Sequence, residues 1–285
     1  MQIFSTPKPL QVFISDQRSQ QKKIGLVPTM GALHQGHLEL INTSINDNDV
    51  TICSIYVNPT QFNDQQDLII YPRDFEQDLD KLEQNNCTAV FCPDDKVMYP
   101  QESRVNLDFG ALENVMEGLH RPGHFRGVAL VVSKLFHMTQ PDRAYFGEKD
   151  WQQLIIIKQL VKDLSFSLKI IGVPIVREVD GLAMSSRNQR LTPDHRIVAS
   201  ELFKAISMVK KQLQQSAGID HAKAAGVDHL KQFPMIDIEY LEVVRTSTLD
   251  SPEHAVGSEP LSICIAAFIG DIRLIDNVQA FQKSE

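Results

Sequence analysis

The chain has 285 residues, of which 42% are hydrophobic and 22% charged, and carries a formal net charge of −8. That length allows one large domain or two ordinary ones with a sizeable buried core, and the composition is that of a soluble globular protein. The acidic balance argues against general nucleic-acid binding, which needs a basic face to neutralise phosphates, but leaves room for a local basic pocket.

Cys53, Cys87, Cys92 and Cys264 form no C-x-x-C pair and imply no disulfide framework; Cys53 and Cys264 fall in apolar runs, where buried free thiols are common. No apolar run is long enough to cross a bilayer, and the first residues lack the apolar segment of a signal peptide. A cytoplasmic protein with no membrane partner is expected.

In chain order, residues 10–14 suggest a short surface helix. The run Lys23-Ile24-Gly25-Leu26-Val27 stops at Pro28 and reads as a strand, after which Leu38, Leu40, Ile41 and Ile45 recur at helical spacing. Residues 50–57 are rich in β-branched side chains, end at Asn58-Pro59 and read as a buried strand. Residues 73–86 place Phe75, Leu79 and Leu82 on one helical stripe, and 88–92 form the next strand. A buried helix at 127–138, a strand at 143–146, a helix at 151–164 and a strand at 168–171 continue the alternation. Such alternation predicts a parallel sheet with helices on both faces, which binds ligands beyond the carboxyl ends of its strands.

Past residues 172–174 the pattern changes. Thr192-Pro193 starts a long helix to about 215, a second helix lies near 221–233, and strands follow at 238–244, 261–269 and, briefly, 272–275. Helices followed by strands predict a smaller α+β domain, dividing the chain into 1–175 and 176–285.

Five segments are candidates for chemistry. At 28–37, P-T-M-G-A-L-H-Q-G-H sits where a strand hands over to a helix, a junction expected to offer unpaired backbone N–H groups and the positive end of the helix dipole. His34 and His37 can both hydrogen-bond phosphoryl oxygens, and their spacing lacks the glutamate and four-residue interval of a zinc helix. Asn58 and Gln61 offer uncharged amides at a strand end, or simply an Asn-Pro turn. Lys149, between a glycine-bearing strand end and a helix, can reach a phosphate as a point charge, or mark a solvated corner. Ser185-Ser186-Arg187 is either an anion grip or a serine-rich joint between domains, and the basic segment 118–127 either a mobile cationic loop or a solvated one.

Taken together, P-T-M-G-A-L-H-Q-G-H at 28–37, Y-V-N-P-T-Q-F at 56–62, Y-P-R at 71–73, R-P-G-H-F-R-G-V at 121–128, F-G-E-K-D-W-Q-Q at 146–153 and V-R-E-x-D-G-L-A-M-S-S-R-N at 176–188 resemble the pantothenate synthetase (pantoate–β-alanine ligase) family. They occur in that family's order and cover most of 24–190, while Leu274-Ile275-Asp276-Asn277 resembles its closing strand. The chain departs from the pattern at Asp74, where threonine is usual, and at Arg245, where an acidic residue is expected.

The resemblance implies a Rossmann-like domain of the H-x-G-H nucleotidyltransferase type with a smaller C-terminal lid. It implies a ligase of the coenzyme A pathway that condenses pantoate with β-alanine through a pantoyl adenylate, using ATP and Mg²⁺, in a homodimer. By motif matching, His37, His34, Lys149 and Arg187 would be catalytic. Met30, Gly31, Ala32, Leu33, His34, Gln35, Gly36, His37, Gly147, Glu148, Lys149, Asp150, Val176, Met184, Ser185, Ser186 and Arg187 would form the ATP site. Gln61, Gln153 and Asn58 would bind pantoate, and Gln61 with Tyr71 would bind β-alanine; Arg121 and His124 fall near the substrates, and no metal ligand is assigned.

Overall fold

The computed structural model describes residues 1–63, 65–252 and 259–281. Two compact units emerge: one is built from Met1–Glu113, Glu117–Glu148 and Gln153–Pro174, the other from Asn114–Met116, Lys149–Gln152 and Ile175–Glu285.

The first unit holds six parallel strands: β1 (Gln2–Phe4), β2 (Ile24–Thr29), β3 (Val50–Ile55), β4 (Ala89–Phe91), β5 (Arg143–Gly147) and β6 (Lys169–Val173). Their spatial order is β1-β4-β3-β2-β5-β6, so the winding reverses between β2 and β5, the position where open α/β sheets leave a crevice. Proline has no N–H to donate, so Pro28 reads as a strand end; the strand instead continues to Thr29. It does so because β2 pairs with β5 only at Gly25 and Leu26, while Pro28 and Thr29 stay in register with Ser54 and Ile55 of β3. β1 has no sequence signal: it is a three-residue strand with a largely exposed side-chain pattern, paired only to β4. Val27, Leu33, Ile41, Cys53, Leu82, Val90 and Tyr145 pack into one core beneath the turn that follows β2.

In the second unit β7 (Ile236–Arg245), β8 (Leu261–Ile269) and β9 (Ile272–Ala280) form an antiparallel sheet. Leu202, Ile206, Val209 and Leu213 of the helix Glu201–Gln214 pack against its Leu241, Ile263 and Ile265. The expected long helix from Thr192 is two: Pro193–Ala199, capped by Thr192 Oγ1 on the His195 N–H, and Glu201–Gln214. They break at Ser200, whose hydroxyl donates to the Ile197 carbonyl, a local bond that competes with the helical ladder. β9 runs nine residues rather than four, because Arg273, Asp276, Asn277 and Gln279 hide its apolar period while the ladder to β8 continues to Ala280.

The two departures from the family pattern are locally satisfied. Asp74 caps the helix Phe75–Gln84 by accepting from the Gln77 N–H, a task threonine also performs. Arg245 pairs with Glu259 at 2.6 Å and with Asp250. All four cysteines are free thiols, and among the described residues no helix is long and apolar enough to cross a membrane.

Arg196 reaches Glu178 at 2.6 Å and Asp180 at 2.5 Å, and its hydrogen bond holds the Asp180 carboxyl below the usual carboxylate range. A depressed folded-state pKa stabilises above the unfolded value of about 3.9, and that stabilisation is lost as pH falls through the folded value. Because these side chains are partly exposed, Arg196→Gln should cost no more than about 1 kcal/mol at pH 7. Urea melts should show that difference shrinking below about pH 4.

Candidate active site

The turn after β2 is held tightly. Gly31 and Ala32 both have positive φ, 80° and 50°. Glycine adopts this without strain, whereas for alanine it costs about 1–2 kcal/mol. The backbone is tied at each step. Gly31 N–H donates to Thr29 Oγ1 at 3.2 Å, and Thr29 Oγ1 donates to the Ser54 carbonyl at 2.8 Å. Ala32 and Leu33 N–H donate to the two carboxylate oxygens of Asp78, at 2.8 and 2.7 Å.

His34 is the N-cap of the helix Gln35–Asp47, a place usually taken by Ser, Thr, Asp or Asn. Its Nδ1 accepts from Gly36 N–H at 3.1 Å, and His37 Nδ1 accepts from His34 N–H at 3.3 Å. The two imidazoles thus replace the serine and glutamate of a capping box. A nitrogen that accepts cannot carry the proton, so each neutral ring is the Nε2–H tautomer. The rings lie 4.1 Å apart, tilted by 40°.

These bonds correct the expectation of unpaired N–H groups at this junction. The N–H groups of Gly31, Ala32, Leu33, His34 and Gly36 are all used by side chains of the protein. Leu33 is 2% exposed and serves the core. With those N–H groups committed, the imidazoles remain the candidate phosphate donors of this turn, and the dipole of the helix Gln35–Asp47 adds a positive bias.

Beyond β3, Asn58 is 1% exposed and its amide is fully committed. Its Oδ1 accepts from Tyr99 OH at 2.8 Å and Thr60 Oγ1 at 3.0 Å, while its Nδ2 donates to the Gly127 carbonyl at 3.2 Å and to Gln61 Oε1 at 3.0 Å. The close approach needs a glycine: a Cβ on Gly127 would lie 2.2 Å from the Thr60 carbonyl oxygen. Gln61 is thereby oriented, with Oε1 accepting from Asn58 and Nε2 directed at Met30 Sδ, 3.2 Å away. The segment 118–127 is helical at both ends rather than a loop. His124, 7% exposed, donates from Nδ1 to the Gln61 carbonyl at 2.7 Å, and Arg121 reaches the same carbonyl at 3.4 Å. Tyr71 is buried and packs edge-on against Phe62. Gly147 ends β5, Glu148 N–H donates to the Val173 carbonyl at 2.9 Å, and burial pushes the Glu148 carboxyl up. Gln153 is half-buried in the helix Trp151–Asp163.

The second unit carries Lys149, Asp150, Val176 and residues 184–187. Val176 and Met184 face each other across a short hairpin, with Met184 N–H donating to the Val176 carbonyl at 3.0 Å. Ser185 caps the short helix Ser186–Arg190 through the Arg187 N–H at 3.3 Å. The hairpin is anchored by Arg177, which grips Asp276 of β9 bidentately at 2.7 and 2.9 Å and lies 3.9 Å from the Phe203 ring centroid. The next residue, Asn277, donates from Nδ2 to the Lys149 carbonyl at 2.9 Å. Trp151 and Gln152 add bonds to the Thr246 and Val115 carbonyls, at 3.2 and 2.9 Å. Adjacent residues of β9 therefore hold both the lysine turn and the serine–arginine segment. Residue patterns alone give Arg177, Asp276 and Asn277 no role, although V-R-E and L-I-D-N contain them.

A doubly wound parallel sheet whose switch-point turn presents two oriented imidazole donors at a helix start defines an α/β enzyme built to handle phosphates. The family model for pantoate-beta-alanine ligase matches residues 2–279, and the chain belongs to that family. It is similar to the pantothenate synthetase of Cytophaga hutchinsonii, 44% identical over 270 residues covering 94% of this chain and 95% of that one. The Bacteroides fragilis pantothenate synthetase is 43% identical over 279 residues, covering 98% and 99%. Among solved structures, pantothenate synthetase from Thermus thermophilus matches with a TM-score of 0.88 at 39% identity, covering 98% of this chain and 99% of that one. The Francisella tularensis pantoate-beta-alanine ligase, crystallised with beta-gamma ATP and beta-alanine, matches with a TM-score of 0.79 at 36% identity, covering 98% and 97%.

Proposed function

We infer that this chain is the ATP-dependent ligase that joins pantoate to β-alanine and releases pantothenate. The observation that carries the reading is the reciprocal capping of His34 and His37, which fixes two Nε2–H donors side by side. Family membership over nearly the whole chain supplies the substrates.

In the proposed route a pantoate carboxylate oxygen attacks the α-phosphorus of ATP. The new O–P bond forms as the bond to the β-phosphate oxygen breaks, and pyrophosphate leaves. The β-alanine amine then attacks the acyl carbon; the C–N bond forms, the C–O bond to AMP breaks, and the amine proton passes to water. Both nucleophiles react once positioned, so the protein's task is alignment and stabilisation of phosphate charge. His34 and His37 each donate a hydrogen bond from Nε2–H to phosphoryl oxygens. Lys149 and Arg187 add positive charge, and Ser185 and Ser186 hydrogen-bond the departing pyrophosphate. Gln61, its amide oxygen taken by Asn58, offers Nε2–H to an oxygen of pantoate. Asn58 acts in this scheme by orienting Gln61 rather than by touching substrate. Gln153 completes the pantoate site and Tyr71 flanks β-alanine. Residues 176–285 form the proposed lid, and the active species is a homodimer.

Mg²⁺ belongs to the same proposal. Among the described residues no three His, Cys, Asp or Glu side chains are grouped to hold a metal. This suits an ion whose ligands are mainly phosphate oxygens and water, and which neutralises charge on the triphosphate.

The test is pyrophosphate release from ATP and pantoate with β-alanine withheld, alongside mass detection of the acyl adenylate. A single burst of pyrophosphate with one equivalent of pantoyl adenylate is expected, becoming steady turnover when β-alanine is added. Pyrophosphate that appears only with β-alanine present, and no adenylate at any time, would refute the two-step route.

A further inference from the structure

We propose that Asp78 and Lys81 are positioning residues for catalysis, locking the backbone of residues 31–33 so that the His34 and His37 rings keep the orientation the reaction needs. The proposal rests on the ligase reading of that turn.

Both side chains leave the helix Phe75–Gln84 one turn apart, on one face. Asp78 takes the N–H groups of two successive residues, Ala32 and Leu33, one on each oxygen. Lys81 Nζ donates to the Leu33 carbonyl at 2.7 Å and to Gln77 Oε1 at 2.5 Å. The helix thus binds Leu33 through both its N–H and its C=O. His34 follows directly.

A carboxylate 1% exposed is a costly choice for packing alone. Leu82 on the same helix shows what the core accepts: it is fully buried and needs no partner. Charge-assisted bonds to two N–H groups offset the burial and hold Ala32 in its left-handed conformation. The fit is close: a Cβ on Gly31 would come within 2.9 Å of Asp78 Oδ2. Burial pushes the Asp78 carboxyl up, and the Leu33 and Ala32 N–H groups oppose it, as does Lys81. Released from the clamp, the turn would rotate, the His34 cap would loosen, and the two Nδ1 atoms would lose the donors that fix their tautomer.

Asp78→Asn keeps the shape but aims an NH₂ at one of the two N–H groups; Lys81→Met keeps the stem and removes the donor. Expected for Asp78→Asn is at least a tenfold fall in kcat for pyrophosphate release, with the KM for β-alanine unchanged. The ¹⁵N signals of His34 and His37 should move from the Nε2–H pattern to a tautomer mixture. Lys81→Met should show the same changes to a smaller degree. The ring signals need no turnover, so they report on the clamp even if the wild-type chain were to make no adenylate. Wild-type kcat and ring signals in folded Asp78→Asn would overturn the proposal, as would a lowered melting temperature with kcat and ring signals unchanged. If Asp78→Asn does not fold, Lys81→Met decides by the same two readouts.

Discussion

Replacing His37 with alanine is expected to lower the rate of pyrophosphate formation from ATP and pantoate by about 10²–10³-fold, the usual effect of deleting one preorganised donor to developing charge. The residue has two separable jobs. Its Nδ1 accepts the His34 N–H, and loss of such a cap costs about 0.5–2 kcal/mol of stability. Its Nε2–H, on the other side of the ring, is the donor to which the proposed mechanism gives the catalytic role. His37→Asn separates them, because the amide oxygen can still accept the cap bond while the donor no longer sits at the imidazole's reach. Urea melts should show His37→Asn close to wild type and His37→Ala below it, with both slow in stopped-flow pyrophosphate release. Release at the wild-type rate from either variant would remove His37 from the mechanism.

The largest stability effect is expected at Asp276. This carboxylate is 4% exposed, accepts both guanidinium arms of Arg177, and also accepts the Asn277 N–H at 2.7 Å. Removing one member of such a pair leaves the other charge buried without compensation, so Asp276→Ala should cost about 3–5 kcal/mol in equilibrium unfolding of the full chain. The double variant Arg177→Met, Asp276→Leu should recover most of that loss, since an apolar pair of similar volume avoids the desolvation of both ions. It should not recover activity, because Arg177 also holds the hairpin before Ser185 through the Gly181 carbonyl at 3.0 Å. A single variant as stable as wild type would show that the ion pair adds nothing.

The turns that carry the candidate site are legible in residue order, and the reasons are local. The glycine in T-M-G, the proline after Asn58 and the glycine before Lys149 each mark a turn by backbone chemistry alone. The elements that escape such reading are those without local signal: β1 is three residues on a sheet edge, and β9 has its apolar period masked by polar side chains with partners elsewhere. The helix from Thr192 reads too long, because Ser200 breaks it by a hydrogen bond that periodicity does not register. Asn58 reads as a ligand contact, since an amide at a strand end gives no hint that Tyr99 and Gly127 already occupy it.

By itself the sequence determined the alternation of strands and helices, the change of pattern after residue 174, and which turns bear imidazole, lysine and guanidinium groups, because apolar spacing and turn residues act over a few neighbours. Only the tertiary structure decided what those groups can do. Asp78 lies 46 residues from Ala32 and Asp276 lies 99 from Arg177, and it is their side chains that occupy the backbone N–H groups and fix the anchors. Hydrogen-bond partners are chosen by proximity in the folded chain, and the need to satisfy every buried polar group is what turns two ordinary-looking carboxylates into the supports of the candidate site.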